Sequence, residues 1–370
     1  MSPIPVPENI ARIEPYLPGK PVEEVERELG LPDTVKLASN ENPLGASPLA
    51  LKAARETMQA VHRYPDGSGY YLREKLGRMH GIPMDQIILG NGSTDLVEIL
   101  ARTFLGRDGS AVIADQAFIM YRLAVMAVNG NARIVPLRDM RHDLPAMAAA
   151  VDATTRLIFV ANPNNPTGTF VGAGEVGRFL EAVPDHVLVV MDEAYHEYVT
   201  APDYPDSLSW LRRGRRLAVL RTFSKVYGLA GLRLGYALTQ PDVRAAAEKV
   251  RSPFNTGSVA QAAALAALDD TAHVARSREH NAREMAFLEE RLAGLQVPFT
   301  RSVANFILID TGQDADVMFA LLLKRGVITR SMRAFNFPRS LRVTVGTRQE
   351  NLRFLDALAQ ELAAAIPRAI

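Results

Sequence analysis

Between about residues 85 and 240, short apolar runs rich in β-branched side chains alternate with longer stretches whose apolar positions recur at helical spacing. The runs are 87–89, 111–113, 134–135, 157–160, 187–191, 217–220 and 234–238. Strands that are apolar throughout, with helical patterns between them, are what a parallel sheet covered on both faces requires. The pattern therefore predicts an α/β fold with a large domain built on a mostly parallel, seven-stranded sheet flanked by helices. The ends of the chain differ from this middle. Residues 1–45 are rich in proline and turn formers. From about 270 onward come a long helical pattern (Arg278 to Leu292), a β-like run at 305–309, another helix and a run at 341–345. That succession reads as a smaller α+β domain. The expected division is an N-terminal segment, 1–45, joining a small domain, 266–370, and a large domain, 46–265.

Composition adds exclusions. A chain of 370 residues exceeds what one hydrophobic core usually serves, in keeping with two domains. With 42 Lys+Arg against 41 Asp+Glu, the net charge of +1 lacks the basic excess of a nucleic-acid surface. The absence of cysteine excludes disulfides and cysteine-based zinc sites and permits a reducing compartment. The N-terminus lacks the layout of a secretory signal, and no apolar run approaches the roughly 20 residues of a membrane span. The seven histidines show no metal-ligand spacing. The expectation is a soluble, cytoplasmic protein without metal, nucleic-acid or membrane partners.

Ligands of open α/β sheets bind beyond the carboxyl ends of the strands, so the residues following each run carry the candidate chemistry. After 87–89 comes Gly90-Asn91-Gly92-Ser93-Thr94-Asp95 and then a helical pattern. Such a turn offers backbone N–H groups and hydroxyls to an anion, although glycine-serine turns also cap helices that bind nothing. After 157–160 comes Asn162-Pro163-Asn164-Asn165-Pro166-Thr167-Gly168, and after 187–191 comes Asp192-Glu193-Ala194-Tyr195. Asp192 there is open to two readings, a helix cap or a functional acid. After 217–220 comes Arg221-Thr222-Phe223-Ser224-Lys225, with Arg233 eight residues beyond the lysine. Burial and neighbouring cations can turn such a lysine into a nucleophile for carbonyl groups.

Taken in order, these motifs resemble the fold-type-I pyridoxal-phosphate enzymes, within the class I/II aminotransferases, and are most similar to histidinol-phosphate aminotransferases. The resemblance runs nearly end to end, from Pro15-Tyr16, Ser39-Asn40-Glu41-Asn42-Pro43-Leu44-Gly45 and Arg63-Tyr64-Pro65-Asp66 through the motifs above. It continues to Pro253-Phe254-Asn255 and Leu341-Arg342-Val343-Thr344-Val345-Gly346.

The resemblance implies pyridoxal 5′-phosphate as cofactor and a role for each matching position. Lys225 would hold the cofactor aldehyde and, once released, move the substrate Cα proton. Asp192 would keep the ring nitrogen protonated, and Tyr195 and Asn165 would bond the ring's 3′ oxygen. Phe118 would stack on the ring. Ser93, Thr94, Thr222, Ser224 and Arg233 would grip the phosphate, joined by Tyr64 of a neighbouring subunit in a homodimer with shared sites. Arg342, with Arg330 as a second anion contact, would take the carboxylate of glutamate or the phosphate of histidinol phosphate. Tyr16 and Asn42 would complete the substrate pocket. The implied reaction is transamination between histidinol phosphate and 2-oxoglutarate in histidine biosynthesis.

Rival readings keep the scaffold: an aromatic amino-acid aminotransferase, a threonine-phosphate decarboxylase-like lyase, or a regulator without turnover. Against the last stand the intact Lys225, Asp192 and Tyr195. Departures from the family pattern put specificity in question. They are Thr94-Asp95 where Asp-Glu is usual, Gly257 where asparagine is expected, and a basic loop containing Arg333 and Arg339.

Overall fold

The computed structural model describes residues 4–15, 19–31 and 33–365. Seven strands form the main sheet: β2 (Ile87–Gly90), β3 (Ser110–Ala114), β4 (Asn131–Val135), β5 (Thr155–Ala161), β6 (Leu188–Asp192), β7 (Leu217–Thr222) and β8 (Gly235–Thr239). Preceding them is β1 (Val35–Lys36); after them come β9 (Phe299–Thr300), β10 (Phe306–Asp310), β11 (Val327–Ile328), β12 (Arg330–Ser331) and β13 (Ser340–Thr344). Each of the seven apolar runs became a strand, with Val187 and Leu234 falling just outside.

The main sheet has the order β2-β8-β7-β6-β5-β3-β4, parallel except that β8 runs antiparallel to both neighbours. Alternate side chains point to opposite faces, as the pleat dictates. Val112, Ile158, Val160, Val189 and Val219 enter one core. Ala111, Ile113, Phe159, Val190 and Leu220 enter the other. Helices at 48–57 and 258–267 cover the first face and helices at 92–104 and 120–127 the second. Burying a side chain such as Phe159 contributes roughly 1.5–3 kcal/mol, which is why double coverage fixes the strand plane.

A third core gathers Ile307, Ile309, Leu341, Val343, Phe354 and Leu358 with Leu37 from the N-terminal segment. It packs on an antiparallel sheet of order β12-β13-β10-β9. The N-terminal segment holds more regular structure than its proline content predicted. Helices occupy Glu8–Ala11 and Val22–Leu29, and β1 pairs in parallel with β11. Glu8–Ala11 reaches back to the large sheet's helices, where Asn9 Nδ2 donates to Met126 O at 2.9 Å.

The long C-terminal helical pattern is one helix, Thr271–Gly294, whose N-cap Asp270 accepts from His273 N. Asp270 also accepts from Ser47 Oγ at 2.7 Å, and Ser47 itself caps helix Pro48–Thr57. One hydrogen bond thus ties two helix starts together. We propose a division of the chain at 45/46 and 265/266; helix Ser258–Ala267 runs past the second position.

Candidate active site

The carboxyl ends of β5, β6 and β7, the start of the helix after β2 and the segment 38–41 enclose a cavity of about 390 Å³. That is the size of a small-molecule site. Lys225 lines it. Its Nζ donates to Ser39 O at 3.2 Å and lies 5.5 Å from the centre of the Tyr195 ring. Burial, then the positive field of Arg342, pushes its amine down to about 8, against the pull of Glu41 and Asp192. An amine so placed is partly unprotonated near neutral pH, which a carbonyl-directed nucleophile requires.

The backbone of this loop depends on one close approach. Gly228 has φ +70, and a Cβ there would lie 2.0 Å from Gly45 O. The lysine loop is thereby pressed onto the segment containing Ser39. Asn42 fastens the same junction: its Nδ2 donates to Val226 O at 2.8 Å and Ser277 Oγ at 2.9 Å. Asn42 is not among the residues that line the cavity.

Asp192 ends β6 with its carboxylate in the cavity wall. Burial raises it to about 6, while the Tyr121 hydroxyl, 2.7 Å from Oδ2, and the Ala194 N–H oppose the rise. Tyr195 accepts from Asn40 Nδ2 at 2.9 Å and packs edge-on against Phe306. Asn165 accepts from Arg342 through its Oδ1. Phe118 also lines the cavity and meets the Tyr121 ring at 84°.

One end of the cavity is a cup for an anion. Ser93 and Thr94 stand in the first turn of helix Gly92–Phe104, facing Thr222, Ser224 and Arg233. Arg233 NH1 donates to Ala230 O at 3.1 Å and lies 3.4 Å from Ser224 Oγ. Two glycines let these parts converge. A Cβ on Gly92 would stand 2.6 Å from Arg233 NH2, and one on Gly235 would stand 2.9 Å from Ser93 N. N–H groups at a helix start, two or more hydroxyls and an arginine form a donor set suited to a phosphate dianion.

The other end carries Arg330 and Arg342. They are register partners on the antiparallel strands β12 and β13, so they project on the same face side by side. Arg342 NH2 donates to Ala38 O at 2.8 Å, and its guanidinium lies over Phe306. Like charges directly opposite on a sheet cost stability, which makes this pair a natural anion receptor.

Tyr64 lies outside the cavity, 84% exposed and stacked on Phe254 at 4.8 Å. The expectation for Tyr16 lies outside the described residues. The basic loop is neutralised locally: Arg333 pairs with Asp314 and Asp316, Arg339 with Asp310, and neither lines the cavity. Asp95 bonds Asn91 N and Asn255 Nδ2, and Gly257 precedes a helix in open space. Sequence reasoning assigned no role to Asn40, Glu41 or Tyr121. Asn40 and Glu41 lie in the segment Ser39–Gly45, and Tyr121 lies three residues from Phe118; their tasks emerge only from contacts across the fold.

Residues 32–358 match the family of class I and II aminotransferases. A histidinol-phosphate aminotransferase of Moorella thermoacetica is 48% identical over 357 residues, covering 96% of this chain and 92% of that one. Another, from an Anaeromyxobacter species, is 49% identical over 365 residues, covering 97% and 99%. Among solved structures, a histidinol-phosphate aminotransferase from Sinorhizobium meliloti in complex with pyridoxal-5′-phosphate has a TM-score of 0.88 at 28% identity. It covers 96% of this chain and 97% of that one. A cavity with a depressed lysine, a buried acid and an anion cup, and a family match across most of the sequence, agree: the chain belongs to the class I and II aminotransferases.

Proposed function

We propose that this chain is a pyridoxal-phosphate-dependent aminotransferase that exchanges the amino group of histidinol phosphate with 2-oxoglutarate, in histidine biosynthesis. The observation that carries the reading is one cavity with Lys225 and Asp192 in its wall, a phosphate cup at one end and the Arg330–Arg342 pair at the other. The names of relatives at 48–49% identity over nearly the full chain support the same substrate.

The donor set fits pyridoxal phosphate. Ser93, Thr94, Thr222, Ser224 and Arg233 would hold its phosphate, Asp192 its ring nitrogen, Tyr195 and Asn165 its 3′ oxygen and Phe118 its ring face. When bound, that group supplies an electron sink for a carbanion at substrate Cα. Lys225 Nζ takes the Cα proton, and its depressed basicity leaves a free amine to do so. Asp192 holds a proton on the ring nitrogen. Arg342, with Arg330 beside it, binds the anionic end of either substrate through a planar fork, carboxylate or phosphate.

The active unit in this reading is a homodimer in the cytoplasm. Tyr64, stacked on exposed Phe254, together with exposed Leu49, Met58, Val61 and Tyr71 in the segment 49–71, supports a protein-covered face. The cysteine-free chain suits a reducing compartment.

The test is to mix cofactor-loaded protein separately with histidinol phosphate, phenylalanine and threonine phosphate, with 2-oxoglutarate present. Glutamate formation fastest with histidinol phosphate is expected. Faster turnover of phenylalanine would overturn the substrate, and carbon dioxide release from threonine phosphate would overturn the reaction class.

A further inference from the structure

We infer that Tyr121 is a positioning residue that keeps Asp192 ionised against its own burial and thereby sustains the acid's hold on the ring nitrogen. The inference rests on the cofactor reading above and goes beyond it, because it concerns how the acid is tuned rather than what it binds.

The geometry is specific. Tyr121 lies in helix Met120–Ala127 with no exposed surface, and its hydroxyl donates to Asp192 Oδ2 at 2.7 Å. Its ring stacks on Phe159 at 4.9 Å and 8°, which leaves the phenol no alternative direction. The same ring meets the edge of Phe118 at 5.6 Å, so one side chain abuts both the acid and the residue expected over the cofactor face. Its backbone N–H donates to Phe118 O at 3.1 Å, closing the turn that sets the two rings.

Every group facing the carboxylate can be placed. Ala194 N donates to Oδ1 at 3.2 Å. Glu193, next in sequence, disfavours the charge, and Lys225 favours it. Burial is the largest influence and favours the neutral acid. The phenol and the Ala194 N–H are the two direct hydrogen bonds that favour the charged form. Tyr121 itself is driven well above the ordinary phenol range by burial and by Asp192, so it stays a donor wherever the protein is folded. A neutral Asp192 could not retain a cation on the ring nitrogen, so the hydroxyl sets the lower pH limit for cofactor retention.

The experiment compares the cofactor-free wild-type protein with Tyr121→Phe, which keeps the ring stack and removes only the hydroxyl. Carbon-13 NMR of aspartate-labelled protein, with Asp192→Asn to assign the signal, follows the titration of Asp192. The Asp192 midpoint should rise by about one pH unit. A fluorescence titration with pyridoxal phosphate should show affinity about tenfold weaker at pH 5, below both midpoints, and only about twofold weaker at pH 7. In the Asp192→Asn background, Tyr121→Phe should leave affinity unchanged, since the coupling has nothing to act on. An unmoved Asp192 midpoint, or an equal loss of affinity in both backgrounds, overturns the inference. Failure of the wild-type protein to bind pyridoxal phosphate would instead strike the cofactor reading, and the NMR titration would still decide the role of Tyr121.

Discussion

Arg221 grips Glu193 through two N–H groups on one carboxylate oxygen, Nε at 3.0 Å and NH2 at 2.8 Å, with both side chains sealed from water. The pair joins the ends of β6 and β7 from the sheet face opposite Asp192 and Thr222, each its immediate neighbour in sequence. It draws Arg221 far above its already high value, chiefly through Glu193 against the opposing cost of burial. The two strand ends that carry the acid and the lysine loop are thus clamped together.

Breaking that clamp from one side leaves an uncompensated buried charge. Arg221→Met should destabilise the fold by about 3–5 kcal/mol. Denaturant unfolding measures it, and a loss under about 1 kcal/mol would show that the strand ends are held by packing alone. Replacing both residues with apolar ones of similar volume should recover much of the loss.

Lys225 makes the protein less stable than it could be. Its value falls from 10.5 in the unfolded chain to about 8 in the folded one, with burial the largest cause. Between these values the unfolded chain binds more protons, so the stability of the cofactor-free protein should rise with pH from about 8 toward 10.5. Lys225→Met removes this penalty. At pH 7 it should stabilise the cofactor-free fold by up to about 3 kcal/mol, while abolishing transamination and the absorbance of lysine-linked cofactor. Thermal melts from pH 7 to 10 check the slope. Persistence of the lysine-linked absorbance in the variant would refute the role given to Lys225.

Arg342 is expected to serve both substrates. Arg342→Ala should lower kcat/KM on the order of 100-fold for histidinol phosphate and for glutamate alike, since both lose charge-assisted bonds. Arg342→Lys keeps the charge without the fork and should rescue only part of the activity. Single-turnover rates with each substrate separate the cases, and damage confined to one of them would refute a shared receptor.

Gly235→Ala tests the phosphate cup. Its Cβ would stand 2.9 Å from Ser93 N, Gly92 C and Arg221 O, all backbone atoms that cannot swing aside. Affinity for pyridoxal phosphate should drop tenfold or more. Gly257→Ala, where nothing lies within 4 Å and φ is −70, should leave it unchanged. Equal affinity in both variants would mean that the helix start and β8 need not meet closely.

Much of this protein was written along the chain. The six buried strands of the main sheet came from runs apolar on both faces, because a doubly covered sheet offers water no face, while the edge strand β4 keeps Asn131 and Ile134 exposed. The order of motifs placed Lys225, Asp192, Asn165 and Arg342 in one family and so in one cavity.

What the sequence could not determine were relations between residues far apart in it. Asn40 reaches Tyr195 across 155 positions and Tyr121 reaches Asp192 across 71. Asn42 reaches Val226 O across 184 positions and Ser277 across 235. Arg330 and Arg342 became neighbours only through the register of β12 on β13. Hydrophobic periodicity is a local property and survives in any fragment of the chain. Hydrogen-bond partners and strand register are chosen by the packing of whole layers, where a shift of one residue would turn every side chain to the other face.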